Sequence, residues 1–174
     1  MPPSLTILTT LCALLSLLSC LPQDIKAQSD TKPALLDQLK PRGYVNDFAG
    51  IIDSSAQSQL DVICKDLDQK KRTQMAIVTI VSLDGRPIKE FSIQLFNRWG
   101  VGYKDTNRGV LMLLSRNDRQ YRIAVSYGLK SVITDDEATR LGREAIPFLQ
   151  KGHYGSALLW VAQRIHDEIV RSVE

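Results

Sequence analysis

The residues in this sequence whose type and placement could do chemistry are carboxylates. Asp47 precedes the first long helical pattern, Asp105 precedes an apolar run, and Asp135 and Asp136 are adjacent at a helix start. Hard cations take several oxygen ligands at about 2.3–2.6 Å. Asp47, Asp135 and Asp136 would therefore make a divalent-cation site for calcium or magnesium if their loops meet. No twelve-residue calcium-loop signature surrounds them. The alternative for Asp135 and Asp136 is electrostatic, since carboxylates in a first helical turn favour the positive end of the helix dipole. Asp47 is also the candidate catalytic residue for phosphoryl transfer, as nucleophile or metal ligand, with Arg108 and Arg119 to hold phosphate oxygens bidentately. Neither a Cys-x5-Arg loop nor a DxDx-type motif accompanies them, and both arginines also read as exposed strand-end residues.

The other reactive types carry less. His153 and His166 have no second histidine one helical turn away, which argues against zinc. Ser82, Ser115 and Ser126 end apolar runs without a nucleophile-elbow context. Cys64 follows the apolar face of a helix and reads as core. Trp99-Gly100-Val101-Gly102-Tyr103 reads either as an aromatic-walled groove or as a helix end closed by Gly100. Its glycines follow a helix instead of a strand, so they are not a phosphate-binding fingerprint, and no organic cofactor is expected.

The elements that must position these residues follow from periodicity. Asp53 to Arg72 reads as a helix, with Ser54 and Gln57 at capping-box spacing and Leu60, Ile63, Cys64 and Leu67 on one face. Met75–Leu83 and Gly109–Ser115 are apolar throughout and read as strands buried on both faces. Ile88–Trp99 between them is helical, so the two strands are expected to be parallel with a right-handed crossover. Asn117-Asp118-Arg119 is a turn, which makes Tyr121–Tyr127 antiparallel to its predecessor. Thr134 with Glu137 opens a further helix toward Ala145, which Pro147 should kink or end, and Gly155 to Val170 is the last helix. The expected fold class is α/β: a mixed, mostly buried sheet flanked by helices, an α/β sandwich.

The chain has 174 residues and a formal net charge of +3. That charge, without a long basic run, points away from nucleic acid. Leu5 to Leu18 is apolar but short for a span of ~20 residues, and fits the core of a secretory signal. Ile25-Lys26-Ala27 offers a cleavage site before Gln28. The expected organisation is a signal at residues 1–27, a linker at 28–41 and one domain at 42–172, with no membrane span in the mature domain. Localisation is expected to be exported, periplasmic or secreted. Leu17-Leu18-Ser19-Cys20 is an imperfect lipoprotein box, so a lipid anchor on Cys20 is the alternative.

Asn46-Asp47 with Ala49 and Ile52, Leu95-Phe96-Asn97-Arg98-Trp99-Gly100-Val101-Gly102 before Gly109-Val110-Leu111, and Asp118-Arg119 with Arg122-Ile123 and Tyr127-Gly128-Leu129 before Thr134-Asp135 resemble the motifs of the TPM-domain family. The resemblance spans Gly43 to Ile169. It implies an α/β sandwich and an accessory role beside a membrane-associated protein complex, and, in some members, divalent-cation binding or acid phosphatase activity on phosphomonoesters. One residue departs from the pattern: Lys130 stands where the resemblance leads one to expect a Glu after Gly-Leu. Mass spectrometry of the exported protein should find its N-terminus at or near Gln28; an intact Met1 or a diacylated Cys20 would refute the cleavage reading.

Overall fold

The computed structural model describes residues 35–172. The signal-like segment and the first half of the expected linker lie outside the described residues. The second half is no linker. Leu35–Gln38 forms a short helix, α1, and Leu36 and Leu39 are buried. Their spacing of three puts both leucines on one side of a helical turn, where they join Ala76, Val78 and Phe91 in a single cluster. Trp99 Nε1 donates to the Leu39 carbonyl at 3.2 Å, and Arg98 pairs with Asp37. The folded unit therefore begins before Gly43.

The remaining elements run β1 (Val45–Asp47), α2 (Ser54–Lys71), β2 (Gln74–Ile80), α3 (Ile88–Trp99), β3 (Gly109–Ser115), β4 (Gln120–Val125), a 3-10 turn (Tyr127–Leu129), α4 (Asp135–Gln150) and α5 (Tyr154–Arg171). The sheet order is β1-β2-β3-β4. β2 and β3 are parallel in the register Gln74↔Gly109 to Ile80↔Ser115, and β4 is antiparallel to β3, as the connection lengths require. β1 is a strand that the sequence does not announce. Three residues are too few for a period, yet they pair in parallel with Ile77 to Thr79.

Alternation along the two central strands builds two cores. Met75, Ile77, Val110 and Met112 face α2, α4 and α5; Ala76, Val78, Ile80, Leu111 and Leu113 face α3 and α1. The crossovers β1-α2-β2 and β2-α3-β3 thus step in the same lateral direction but put their helices on opposite faces of the sheet. Two such crossovers have opposite hands, so one of them is left-handed, against the strong right-handed preference of parallel connections.

α2 begins one residue earlier than the capping-box spacing predicts: Asp53 Oδ1 accepts from the Ala56 N–H at 2.9 Å, and Ser54 lies in the first turn. Thr134 caps α4 as expected, accepting from Glu137 N–H at 3.1 Å. α2 and α5 lie side by side and point the same way. Gly155, at the start of α5, packs on Ala56 and Asp53 at the start of α2, and His166 further along α5 bonds Asp66 further along α2 at 3.0 Å.

Pro147 does not end α4, which continues to Gln150. Pro147 and Arg143, whose carbonyl loses its usual donor, are both exposed, on a side of the helix where solvent can meet an unpaired carbonyl. The helix tolerates the proline because Ala138, Leu141 and Ala145 on the other face are buried. Restoring the missing donor with Pro147→Ala should stabilise the domain by about 2 kcal/mol after the loss of proline's restraint on the unfolded chain. A urea midpoint that stays level or falls would contradict a regular final turn.

Candidate functional site

At the carboxyl ends of β1 and β2 the chain parts, one loop turning to α2 on one face and the other to α3 on the opposite face. Such a split is where open α/β sheets form crevices. Asp47 sits there, as the last residue of β1. Its Oδ1 accepts from the Ile51 N–H at 3.1 Å and from the Thr79 hydroxyl, and its Oδ2 accepts from the Ile52 N–H at 2.9 Å. Thr79 is fully buried and in turn accepts from the Ala49 N–H at 3.3 Å. The carboxylate thereby folds residues 47–52 into the approach to α2. A recess of about 330 Å³ lies beside it, lined by Leu39, Phe48, Ile80, Val81, Ser82 and Asp84 among others. On the far side of Ser82, Asp118 gathers the Leu83 N–H at 2.6 Å and the hydroxyls of Ser115 at 2.5 Å and Ser82 at 3.4 Å. The Ser115 hydrogen bond first, then the Leu83 amide, hold the Asp118 carboxyl below the usual range.

Asp135 and Asp136 lie elsewhere. β1 and β4 are the two edges of the sheet, three strand spacings or roughly 14 Å apart. The chain also leaves β4 at Val125, paired with Val110 at the amino end of β3, whereas Asp47 aligns through Thr79 with Leu114 near the carboxyl end. The strand order thus places Asp47 and the pair Asp135–Asp136 at opposite edges of the sheet and toward opposite ends of its strands, and does not bring the three together. Among the described residues no group of three or more His, Cys, Asp or Glu side chains is arranged to hold a metal. Both oxygens of Asp135 lie 2.6 Å from Lys130 Nζ, and that hydrogen bond is the first cause of its lowered pKa. Asp105 pairs with Arg72 at 2.7 Å.

The arginines do not converge either. Arg108 precedes β3 and donates from Nε to Thr73 Oγ1 at 3.1 Å, while Arg119 is exposed in the hairpin after β3 with φ +53°. Ser82 and Ser115 serve Asp118, and Ser126 accepts from the Gly109 N–H at 2.7 Å. Cys64 is buried, and desolvation pushes its thiol up, away from a reactive thiolate. His166 bridges Asp66 and Asp167, at 3.0 and 3.3 Å. At the Trp99 segment the helix-end reading holds: Gly100 closes α3 with φ +61°, and Trp99 packs edge-on to Phe48 with ring centroids 6.5 Å apart.

Two features lie outside the motifs of the sequence. Asp68 accepts from both the Tyr44 and Tyr103 hydroxyls, at 2.6 and 2.7 Å, and the first of these bonds is the main cause that pushes the Tyr44 phenol up to about 12. These residues come from three separate segments, so no local pattern joins them. A shallow groove of about 680 Å³ runs between α2 and α5 and includes Val62, Leu159 and Trp160. Its one sequence signal is Val62, an apolar residue off the buried stripe of α2 and 67% exposed.

Four strands with helices on both faces define an α/β sandwich. Solved structures of similar fold include the N-terminal domain of a protein from P. gingivalis, at TM-score 0.69 and 24% identity over 74% of this chain and 83% of that one. The N-terminal domain of a Corynebacterium glutamicum protein matches at TM-score 0.59 and 20% identity, over 74% and 80% of the two chains. The BA42 protein of the psychrophilic bacterium Bizionia argentinensis matches at TM-score 0.60 and 11% identity, over 69% and 82%. At these identities the likeness concerns the fold alone. No curated protein matches the chain. A sequence-family model described as the TPM domain matches residues 45–168, and the chain belongs to that family.

The bonds of Asp47 make a specific expectation. Asp47→Asn puts an amide N–H₂ against a donor that now meets an acceptor, and should destabilise the domain by about 1–3 kcal/mol. Urea denaturation checks it; an unchanged midpoint would remove Asp47 from the loop's support.

Proposed function

We propose that this TPM-domain protein works outside the cytoplasm as an accessory module that assembles or maintains a membrane-associated protein complex, and that it is not a metal-assisted phosphatase. The observation that carries the reading is the separation of the carboxylates. Metal-assisted phosphoryl transfer needs ligands and nucleophile around one phosphate, but Asp47 and the pair Asp135–Asp136 lie on opposite edges of the sheet. Asp47 is further committed to two backbone amides and a buried hydroxyl. Arg108 and Arg119 flank β3 at its two ends and cannot clamp one phosphate between them. A binding module needs none of these groups to converge. The signal-like segment at residues 5–18 supports export, and the family resemblance supports the setting beside a membrane complex. None of the described helices is long and apolar enough to cross a membrane, so attachment to such a complex would be through the domain's surface or a segment outside the described residues.

A pull-down from the native envelope should recover subunits of a membrane-associated complex in constant ratio to the bait. A phosphomonoester assay from acidic to neutral pH should show no turnover that depends on Asp47. Robust turnover that disappears in Asp47→Asn, with the variant still folded, would overturn the reading in favour of the phosphatase.

A further inference from the structure

The head of α4 carries three successive carboxylates, and the chain supplies its own cations to two of them. Lys130 Nζ lies 2.6 Å from each oxygen of Asp135. Arg140 reaches back to Glu137, with Nε 3.0 Å from Oε2. Asp136 is exposed beside them. The approach of Lys130 is not left to a loose loop. Leu129 before it and Ile133 after it are fully buried, and the Val132 and Ile133 N–H groups both return to the Leu129 carbonyl, at 2.9 and 2.8 Å. Further back, the Gly128 N–H bonds the Asn107 carbonyl at 2.9 Å, with no room at Gly128 for a Cβ against Thr106 O. Lys130 is thus presented to Asp135 by a turn fixed on both sides, and Arg122 and Lys89 add to the positive field at this edge.

We propose that Lys130 is a built-in cation for this turn. Its ammonium takes the position at Asp135 that a divalent ion would take, and the head of α4 is set without calcium or magnesium. A divalent ion approaching Asp135 meets an ammonium already bonded to both of its oxygens, which competes for them and repels the ion. A carboxylate at position 130, which the family resemblance leads one to expect, would reverse the situation. It would place a third acidic group beside Asp135 and Asp136 on the same rigid turn, with like charges that a hard cation relieves. The charge sign at one position therefore decides whether this end of the domain responds to divalent ions. The inference is independent of the accessory-module reading, which neither requires nor excludes a cation.

The test is thermal unfolding and titration calorimetry in chelator, in millimolar calcium and in millimolar magnesium, on the wild type, Lys130→Glu, Lys130→Met and Asp135→Asn. The wild type should unfold at the same temperature in all three media and give no binding heat. Lys130→Glu should unfold at a lower temperature in chelator, recover by a few degrees in calcium and show a binding isotherm. Lys130→Met should be mildly destabilised and unresponsive. Calcium binding to the wild type that is lost in Asp135→Asn would overturn the proposal, and so would a folded Lys130→Glu with no response to either ion. Should Lys130→Glu fail to fold in chelator, refolding it in calcium reads the same gain, and failure there too counts against the proposal.

Discussion

The pairing of β2 with β3 is the constraint on which the rest depends. It is a seven-residue parallel register, and nearly every side chain in it is buried on one face or the other. Parallel pairing obliges the chain to travel back along the sheet between the two strands, and α3 is that return path. Burial on both faces obliges each face to be covered. Three helices cover one face, and α3 with the short α1 covers the other. One set of polar groups follows from this arrangement, since polar side chains gather toward the ends of the apolar strands: Asp47 and Thr79 with Ser115 and Asp118 at one end, Thr73, Arg108 and Ser126 at the other.

The opposite hands of the two crossovers separate what a uniform winding would keep together. Because α2 and α3 leave the carboxyl ends of neighbouring strands toward different faces, the loops there diverge and need internal ties. Asp47 and Asp118 are those ties, each a carboxylate accepting from backbone amides and hydroxyls of segments that would otherwise splay. Carboxylates spent in this way hold geometry and are poor candidates for chemistry. Asp135 and Asp136, by contrast, are exposed at the head of α4 beyond the far edge.

Much of the fold was legible because the two central strands are apolar without interruption and the helices carry a clean stripe; Leu60, Ile63, Cys64 and Leu67 fell where their spacing put them. What was not legible is instructive. β1 is three residues long and exists only because Ile77 to Thr79 offer a free edge, which is a tertiary fact. The Leu36–Leu39 turn reads as linker in the sequence because two leucines among polar residues do not make a pattern until a waiting surface is known. The helix-breaking tendency of Pro147 is local, and its exposed position lets α4 continue to Gln150. The relative placement of the site residues is hidden in the sequence for a related reason: motif order puts Asp47 and Asp135 in loops of one family pattern, but only strand order says which loops are neighbours. The ion pair at Lys130 was within reach of sequence reasoning, as a cation five residues before a helix-starting aspartate.

The side-by-side, same-direction arrangement of α2 and α5 has an electrical consequence. Neighbouring helices that run oppositely cancel each other's axial fields. Here the carbonyl ends of two eighteen-residue helices lie at one corner. Each contributes about half an elementary negative charge, so together they present about one. Lys70, Lys71 and Arg171 occupy those last turns, with Arg72 capping the end of α2. Part of their positive charge is thereby spent within the fold. An anionic surface approaching that corner would therefore find a field weaker than a count of its basic residues implies.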